Sequence, residues 1–310
     1  MAGETWLEAL LHPPVPAVHE DARAFWAAHR PRAAGLRTVD EALVGGLHAD
    51  RLAWAFLAGY RGALRALDPA LPEDALAALC ATEAGGVHPR DIRTTARREG
   101  GEVVVDGEKV FATMADQADV LLVVASEGQD AQGRNRLVVV RVAANAPGVT
   151  RAPSPLEVPF APEISHQVVR FQGARAKAEA VLPGDGYEDA LKPFRSVEDA
   201  HVFAAGMAYL CGVAGRSGWP AAFRERALCA VLALRELAME SRLRSAESHL
   251  ALGGALALGR EVVDASEAHW DGTAGPERDR WRRDRALFDV AGRVRAARLE
   301  AARRRLVTPP

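Results

Sequence analysis

Thr82-Glu83-Ala84-Gly85-Gly86 and Phe111-Ala112-Thr113 hold the residue types in this chain best suited to chemistry on a flat ligand. Glycines lack a Cβ, so backbone N–H groups can approach a planar or anionic group that side chains would obstruct. An aromatic ring near a hydroxyl can cover one face of a conjugated ring while the hydroxyl and backbone donate to its edge. Donors of that kind tune how readily such a ring accepts a hydride. Each stretch also has a plainer reading: the first as a strand running out into a turn, the second as a hairpin strand with a core Phe and a surface Thr. Farther along, Glu198 and Asp199 are candidate proton acceptors. Ser196 and Asp199 have capping-box spacing, which gives Asp199 a structural alternative at a helix start and leaves Glu198 the freer carboxylate. His88 follows the glycine loop as a candidate donor, or as a solvated loop histidine.

Three kinds of element have to position these residues. Residues 1–78 read as helical. Thr38-Val39-Asp40-Glu41 has capping-box spacing, and Leu52, Phe56, Tyr60, Ala63 and Leu67 recur on one helix face. Asp68-Pro69 stops that helix and Pro72 starts a short one. Over 79–187 the runs become short and β-branched, as in 103–105, 120–124 and 137–142, with further strands expected near 168–171 and 178–182. Gly100-Gly101 and residues 132–135 read as hairpin turns. This segment is expected to be a compact, mostly antiparallel β-barrel or sandwich. Over 188–310 the pattern is helical again, as a C-terminal bundle. Ser196–Asp199 opens a helix carrying Ala204, Ala205, Gly206 and Ala208, whose small side chains would permit close approach of a second copy. Longer helices are expected over about 221–268 and 279–306. The fold class is α+β: an N-terminal helical domain, a central β domain and a C-terminal helical bundle.

Composition narrows the classes of function. The chain has 310 residues, 49% hydrophobic and 26% charged, with a net charge of -2. No global field favours nucleic acid or an anionic membrane. No apolar run approaches the roughly 20 residues of a membrane span, and no basic patch leads into an apolar core near Met1. Cys80, Cys211 and Cys229 lie in apolar runs, predicting buried thiols in a reducing cytoplasm and neither a disulfide framework nor a metal site. Eleven arginines fall between Arg278 and Arg305. They would suit phosphates, but their regular spacing among Ala and Leu reads as a solvated helix face.

The order of motifs resembles the middle domain of acyl-CoA dehydrogenase-like flavoproteins, which reads roughly T-E-P-x-x-G-S-D, then G-x-K-x-W/F-I-T/S, then A-D. Here the counterparts are Thr82–Gly86, Gly107-Glu108-Lys109-Val110-Phe111-Ala112-Thr113 and Ala118-Asp119. Pro147-Gly148-Val149 and Val168–Phe171 extend the likeness, which covers about 79–190 closely and the helical parts by pattern. It implies an FAD-dependent oxidoreductase acting on the CH–CH bond of an acyl thioester, acyl-CoA or a related acyl substrate, as a homodimer or homotetramer. It further implies that Thr82, Glu83, Gly85, Gly86, Phe111, Ala112 and Thr113 lie at the flavin, and that Arg216 reaches FAD. His88 stands near the family's serine, where it would meet substrate. Three departures go with the likeness. Val87-His88-Pro89 replaces G-S-D. Arg216-Ser217-Gly218-Trp219-Pro220 keeps only the arginine of R-x-x-F-G. The late G-G-x-G and carboxylate-Gly-Thr motifs have no counterpart. A dehydrogenase of this kind would then draw its base from the first C-terminal helix, Glu198 before Asp199. The alternatives are the family's monooxygenase branch, which needs no such base, and a catalytically silent structural paralogue.

Overall fold

Turn residues between short β-branched runs produce one seven-stranded sheet. In the computed structural model, which describes residues 6–239, 243–273 and 275–307, the chain divides into two units. One comprises Met1–Ala66, Pro159–Glu163 and Arg195–Pro310; the other comprises Leu67–Val158 and Ile164–Phe194.

The second unit holds the sheet: β1 (Ala77–Cys80), β2 (Thr95–Glu99), β3 (Glu102–Thr113), β4 (Val120–Gln129), β5 (Asn135–Ala143), β6 (Val149–Pro153) and β7 (His166–Lys177). The strand order is β1-β4-β2-β3-β7-β6, with β5 on the other edge of β4. β1 and β2 run parallel to β4, and the remaining pairs are antiparallel. Gly100, at φ +63, turns the β2–β3 hairpin so that Glu99 pairs with Glu102. Leu121 to Ala125 of β4 are all closed to solvent, so this strand is buried on both faces and reads as a continuous apolar run. The core gathers Cys80, Val103, Val105, Leu121, Val123 and Phe171. The strand expected over 178–182 does not form. β7 already reaches the end of β3, where Lys177 pairs with Glu102. Beyond it, Ala178–Ala180 coils into a 3-10 turn and Val181 makes a single bridge to Val140. Pro72 lies in a turn, not a helix.

The helices are α1 (Trp6–Leu11), α2 (Ala22–Ala33), α3 (Thr38–His48), α4 (Leu52–Leu67), α5 (Lys192–Arg216), α6 (Ala221–Met239), α7 (Ala246–Ser266), α8 (Gly275–Asp284) and α9 (Gly292–Val307). The expected order of helices, mostly antiparallel sheet and helices is thus the observed one. Local starts differ. α5 begins before Ser196, because Asp185 caps a π-helical turn over Gly186–Leu191 by accepting from the Tyr187 and Glu188 amides, both at 2.8 Å. Ser196 and Asp199 therefore sit inside the helix, and Asp199 caps nothing. Thr38 is the first residue of α3 and not its cap; its hydroxyl lies 2.9 Å from His201 Nε2. Glu41 turns inward to Arg61 and Arg65, at 3.1 and 2.8 Å.

The small residues of α5 pack within the chain. A Cβ at Gly46 of α3 would stand 2.1 Å from the Ala205 carbonyl oxygen, and one at Gly59 of α4 would stand 2.7 Å from Val202 Cα. Ala204, Ala205 and Ala208 are fully buried. The stripe expected to meet a second copy is thus occupied by α3 and α4. The helix expected over 221–268 is two, α6 and α7, and Gly253-Gly254 lies inside an unbroken α7. The one expected over 279–306 is divided by a 3-10 turn, Arg285–Asp289, and by Ala291 at φ +62. Cys80 and Cys211 are buried as expected, but Cys229 is exposed on α6. Among the described residues no helix is long and apolar enough to cross a membrane.

Candidate functional site

The two motif stretches meet edge to edge in the β unit. Thr82 bridges Phe111, and the Val110 amide donates to the Thr82 carbonyl at 2.9 Å. Glu83 and Gly86 exchange both backbone bonds, at 3.0 and 2.8 Å, closing a tight reversal. Gly86 takes φ +110, a conformation that side chains strongly disfavour. A bulge between the Lys109–Val169 and Ala112–Gln167 pairs gives β3 an extra residue and re-aims Phe111. Phe111 and Thr113 are half-buried, while Ala112 points into the core. The Phe111 ring stacks on His166, centroids 4.1 Å apart. Burial lowers the pKa of His166, with Asp116 pulling the other way.

Glu83 is held from inside. Lys109 Nζ donates to its Oε1 at 2.7 Å, and the Arg93 and Thr94 amides donate at 2.7 and 3.0 Å. The same ammonium donates to the carbonyls of Val124 at 2.6 Å and Ala81 at 3.4 Å, so all three of its N–H bonds are used. Burial alone would raise the Glu83 pKa; Lys109 and the two amides outweigh it and hold the carboxyl below its ordinary range. Asn135 donates to the carbonyls of Pro89 and Ile92, fixing the loop that follows. His88 is exposed, and its Nδ1 accepts from the Arg90 amide at 3.3 Å. An open pocket of about 330 Å³ beside this loop is lined by Glu83, Gly85, Asp91, Arg93, Thr94 and Glu108, among others.

Glu198, Asp199 and Arg216 all lie on α5 in the helical unit. Asp199 is buried and ion-paired with Arg295 at 2.7 Å and with Arg298. Glu198 has neither a hydrogen bond nor an ion pair of this kind among the described residues, and part of its surface meets solvent. Its pKa is pushed up to about 7, first by burial and then by the charge of Asp199, with Arg295 and Arg195 opposing. Arg216 sits about 27 Å farther along the helix axis, where it pairs with Glu277 at 2.8 Å. The structure therefore brings Glu198 and Asp199 together and leaves Arg216 apart from both.

Residues 78–170 match the family model for the middle domain of acyl-CoA dehydrogenases. The chain is 34% identical over 119 residues to the acyl-CoA dehydrogenase fadE12 of Mycobacterium bovis; that stretch is 38% of this chain and only 28% of the relative's length. Its fold resembles that of the prolyl acyl carrier protein oxidase AnaB, with TM-score 0.66 at 16% identity over 91% of this chain and 90% of that one. It also resembles FMN-bound TdsC from Paenibacillus sp. A11-2, with TM-score 0.67 at 14% identity over 96% of each chain. Residues 78–170 are thus an acyl-CoA dehydrogenase middle domain, and the chain as a whole has the fold of acyl-CoA dehydrogenase-like proteins.

The geometry of the β unit, which carries the matched middle domain, bears on whether a flavin fits there. Nothing lies within 4 Å of where a Cβ would stand on Gly86, and Thr82, Phe111 and Thr113 offer half-buried edges on bridged backbone. These residues fit a planar ring. The neighbouring pocket does not fit a diphosphate, because Glu83, Asp91 and Glu108 line it against a single Arg93. Sequence reasoning missed two features. His166 lies outside every motif and reaches Phe111 only through the β3–β7 pairing. Arg295 and Arg298 looked like any other members of an arginine-rich run, and their partner Asp199 is remote in sequence.

Proposed function

We propose that the chain is an FAD-dependent oxidoreductase that oxidises the CH–CH bond of an acyl thioester, acyl-CoA or a related acyl substrate, as a homodimer or homotetramer. The observation that carries this reading is Glu198, a carboxyl outside any ion pair among the described residues and with its pKa raised to about 7, beside an Asp199 that is ion-paired with two arginines. A base with a pKa near the working pH abstracts a proton efficiently. A flavin held by Thr82, Gly86, Phe111 and Thr113 would supply the two-electron oxidant for the β-hydride. Glu198 takes the α-proton, and the electron pair left at the α-carbon closes the new double bond.

Thr82, Gly85, Gly86, Phe111, Ala112 and Thr113 are assigned to the ring, the glycines by keeping backbone close and Phe111 by covering a face. Glu83 belongs to the same site as the residue that pins the loop through Lys109. His88 is assigned to substrate and Arg216 to the cofactor's phosphates, which requires it to leave Glu277. The buried Cys80 and Cys211 suit a reducing cytoplasm.

The test is anaerobic mixing of FAD-loaded protein with acyl-CoA while following flavin bleaching. Bleaching supports the reading. Protein that holds FAD yet never bleaches, and instead consumes oxygen when given reduced flavin, overturns it.

A further inference from the structure

One face of the Phe111 ring is already covered by the protein itself. The His166 imidazole lies against it, with centroids 4.1 Å apart and planes 22° from parallel. No third ring fits between two stacked so closely, so a flavin that uses Phe111 has only the opposite face. Both side chains stay half-buried. Burial lowers the pKa of His166 against the opposing charge of Asp116, so the imidazole is uncharged at neutral pH.

The strand ladder does not aim Phe111. It lies in the bulge between the Lys109–Val169 and Ala112–Gln167 pairs, and a bulged residue is left unpaired where its strand bends. The surroundings of the ring do the holding. Ser154 ties both partners together: its amide donates to the His166 carbonyl at 2.9 Å, and its hydroxyl donates to the Val110 carbonyl at 2.8 Å. Just before His166, the Ser165 carbonyl accepts from the Met114 amide at 2.8 Å, and the Ser165 hydroxyl donates to Asp116. Met114 stands at φ +60, a conformation that persists in a non-glycine residue only where neighbouring bonds impose it. The turn after Thr113 is thus fixed to the segment that carries His166.

We propose that His166 is a positioning residue of the flavin site: it backs Phe111, so that imidazole, phenyl ring and flavin form one stack and the phenyl ring is held where the flavin meets it. This rests on the reading that Thr82, Gly86, Phe111 and Thr113 hold a flavin ring. It adds which side chain, outside every motif, fixes the ring that covers the flavin.

The experiment titrates the full chain with FAD and reads both the dissociation constant and the position of the visible flavin bands. His166→Ala should weaken FAD binding by about three- to tenfold, the range of one aromatic pair, and move the bands toward those of free FAD. His166→Phe keeps a ring behind Phe111 and should restore both. His166→Leu, with its fold checked by circular dichroism, fills the space without a ring and covers the case in which the alanine variant unfolds; it should behave as that variant would. In a Phe111→Leu background His166→Ala should add nothing, because its effect passes through the phenyl ring. Wild-type affinity and bands in His166→Ala or His166→Leu, no rescue by His166→Phe, or an effect undiminished in the Phe111→Leu background overturns the positioning role while leaving the flavin site in place. FAD-loaded protein that responds as expected yet is bleached by no acyl thioester keeps the stack and overturns the reaction. Wild-type protein that gives no flavin spectral shift overturns the flavin site and the stack together.

Discussion

Lys109 Nζ and Glu83 Oε1 lie 2.7 Å apart where neither side chain is open to bulk water, at 0% and 7% exposure. The pair joins β3 to the loop that carries Thr82 and Gly86, so its loss acts on stability and on the loop together. Removing one partner of a buried pair leaves an uncompensated charge, at a cost of about 3–5 kcal/mol. Lys109→Met should therefore destabilise the chain by that order in urea unfolding. Adding Glu83→Gln should recover part of the loss. A single variant as stable as wild type would show that the pair does not hold the loop.

Gly85 and Gly86 are sensitive for different reasons. A Cβ on Gly85 would stand 3.3 Å from Asp91 Cβ, while Gly86 has open space but a φ of +110. Gly85→Val should weaken FAD binding in a fluorescence titration by about tenfold or more, since the branched side chain must push either Asp91 or the ring. If wild-type protein shows no flavin spectral shift, the cofactor assignment fails.

Glu198→Gln keeps the shape and removes the base. It should retain FAD and abolish bleaching by acyl-CoA. With the carboxyl near 7, the wild-type rate should fall about tenfold per pH unit on the acid side and level off above about pH 8. The sign for stability runs the other way. The folded pKa is raised, so the ionised form is disfavoured in the fold, and the group's destabilisation is complete above 7 and relieved as pH falls toward the unfolded value. Glu198→Gln should accordingly raise Tm at alkaline pH. A variant that bleaches at the wild-type rate rules out the assigned base.

Asp199→Asn separates the neighbouring carboxylates. Asp199 is the second cause, after burial, of the raised Glu198 pKa. Neutralising it while freeing Arg295 and Arg298 should shift the acid limb of the bleaching profile to lower pH. Stability should drop by more than the roughly 1 kcal/mol of a lost cap, because two ion pairs go. An unmoved pH profile would show that Asp199 does not act on Glu198.

His29 and His201 make the helical unit acid-sensitive. Burial lowers their pKa values to about 3 and about 4; at His29, His48 and Arg32 add to it, and at His201 the Val197 carbonyl opposes it. His201 Nδ1 donates to that carbonyl at 2.8 Å, leaving Nε2 to accept from Thr38. An unfolded histidine protonates near its ordinary 6.5, so below that pH the unfolded chain binds protons that the fold refuses. Stability should hold above 6.5 and fall below it, by about 1.4 kcal/mol per pH unit for each histidine. Urea midpoints at neutral and mildly acid pH measure the slope, and His29→Phe should flatten it.

What the sequence alone determined is what short-range physics writes into it. The β-branched runs of β3, β4 and β5, and the Gly100-Gly101 turn between strands, are local signals. The Thr82–Gly86 and Phe111–Thr113 motifs, one on each side of a single bridge, were legible for the same reason. Tertiary structure decided where competing local signals lost. Thr38 and Glu41 have the spacing of a helix cap, but the fold draws Thr38 to His201 and Glu41 to Arg61 and Arg65. Ser196 and Asp199 have similar spacing, but Asp185 starts the helical path earlier, and Asp199 turns to arginines 96 and 99 residues away. The stripe of Ala204, Ala205 and Gly206 showed that something packs closely. Only the placement of Gly46 and Gly59 against α5 showed that its partners are α3 and α4 of the same chain. A charged or small side chain is defined energetically by its partner, and a distant partner leaves no period in the sequence around it.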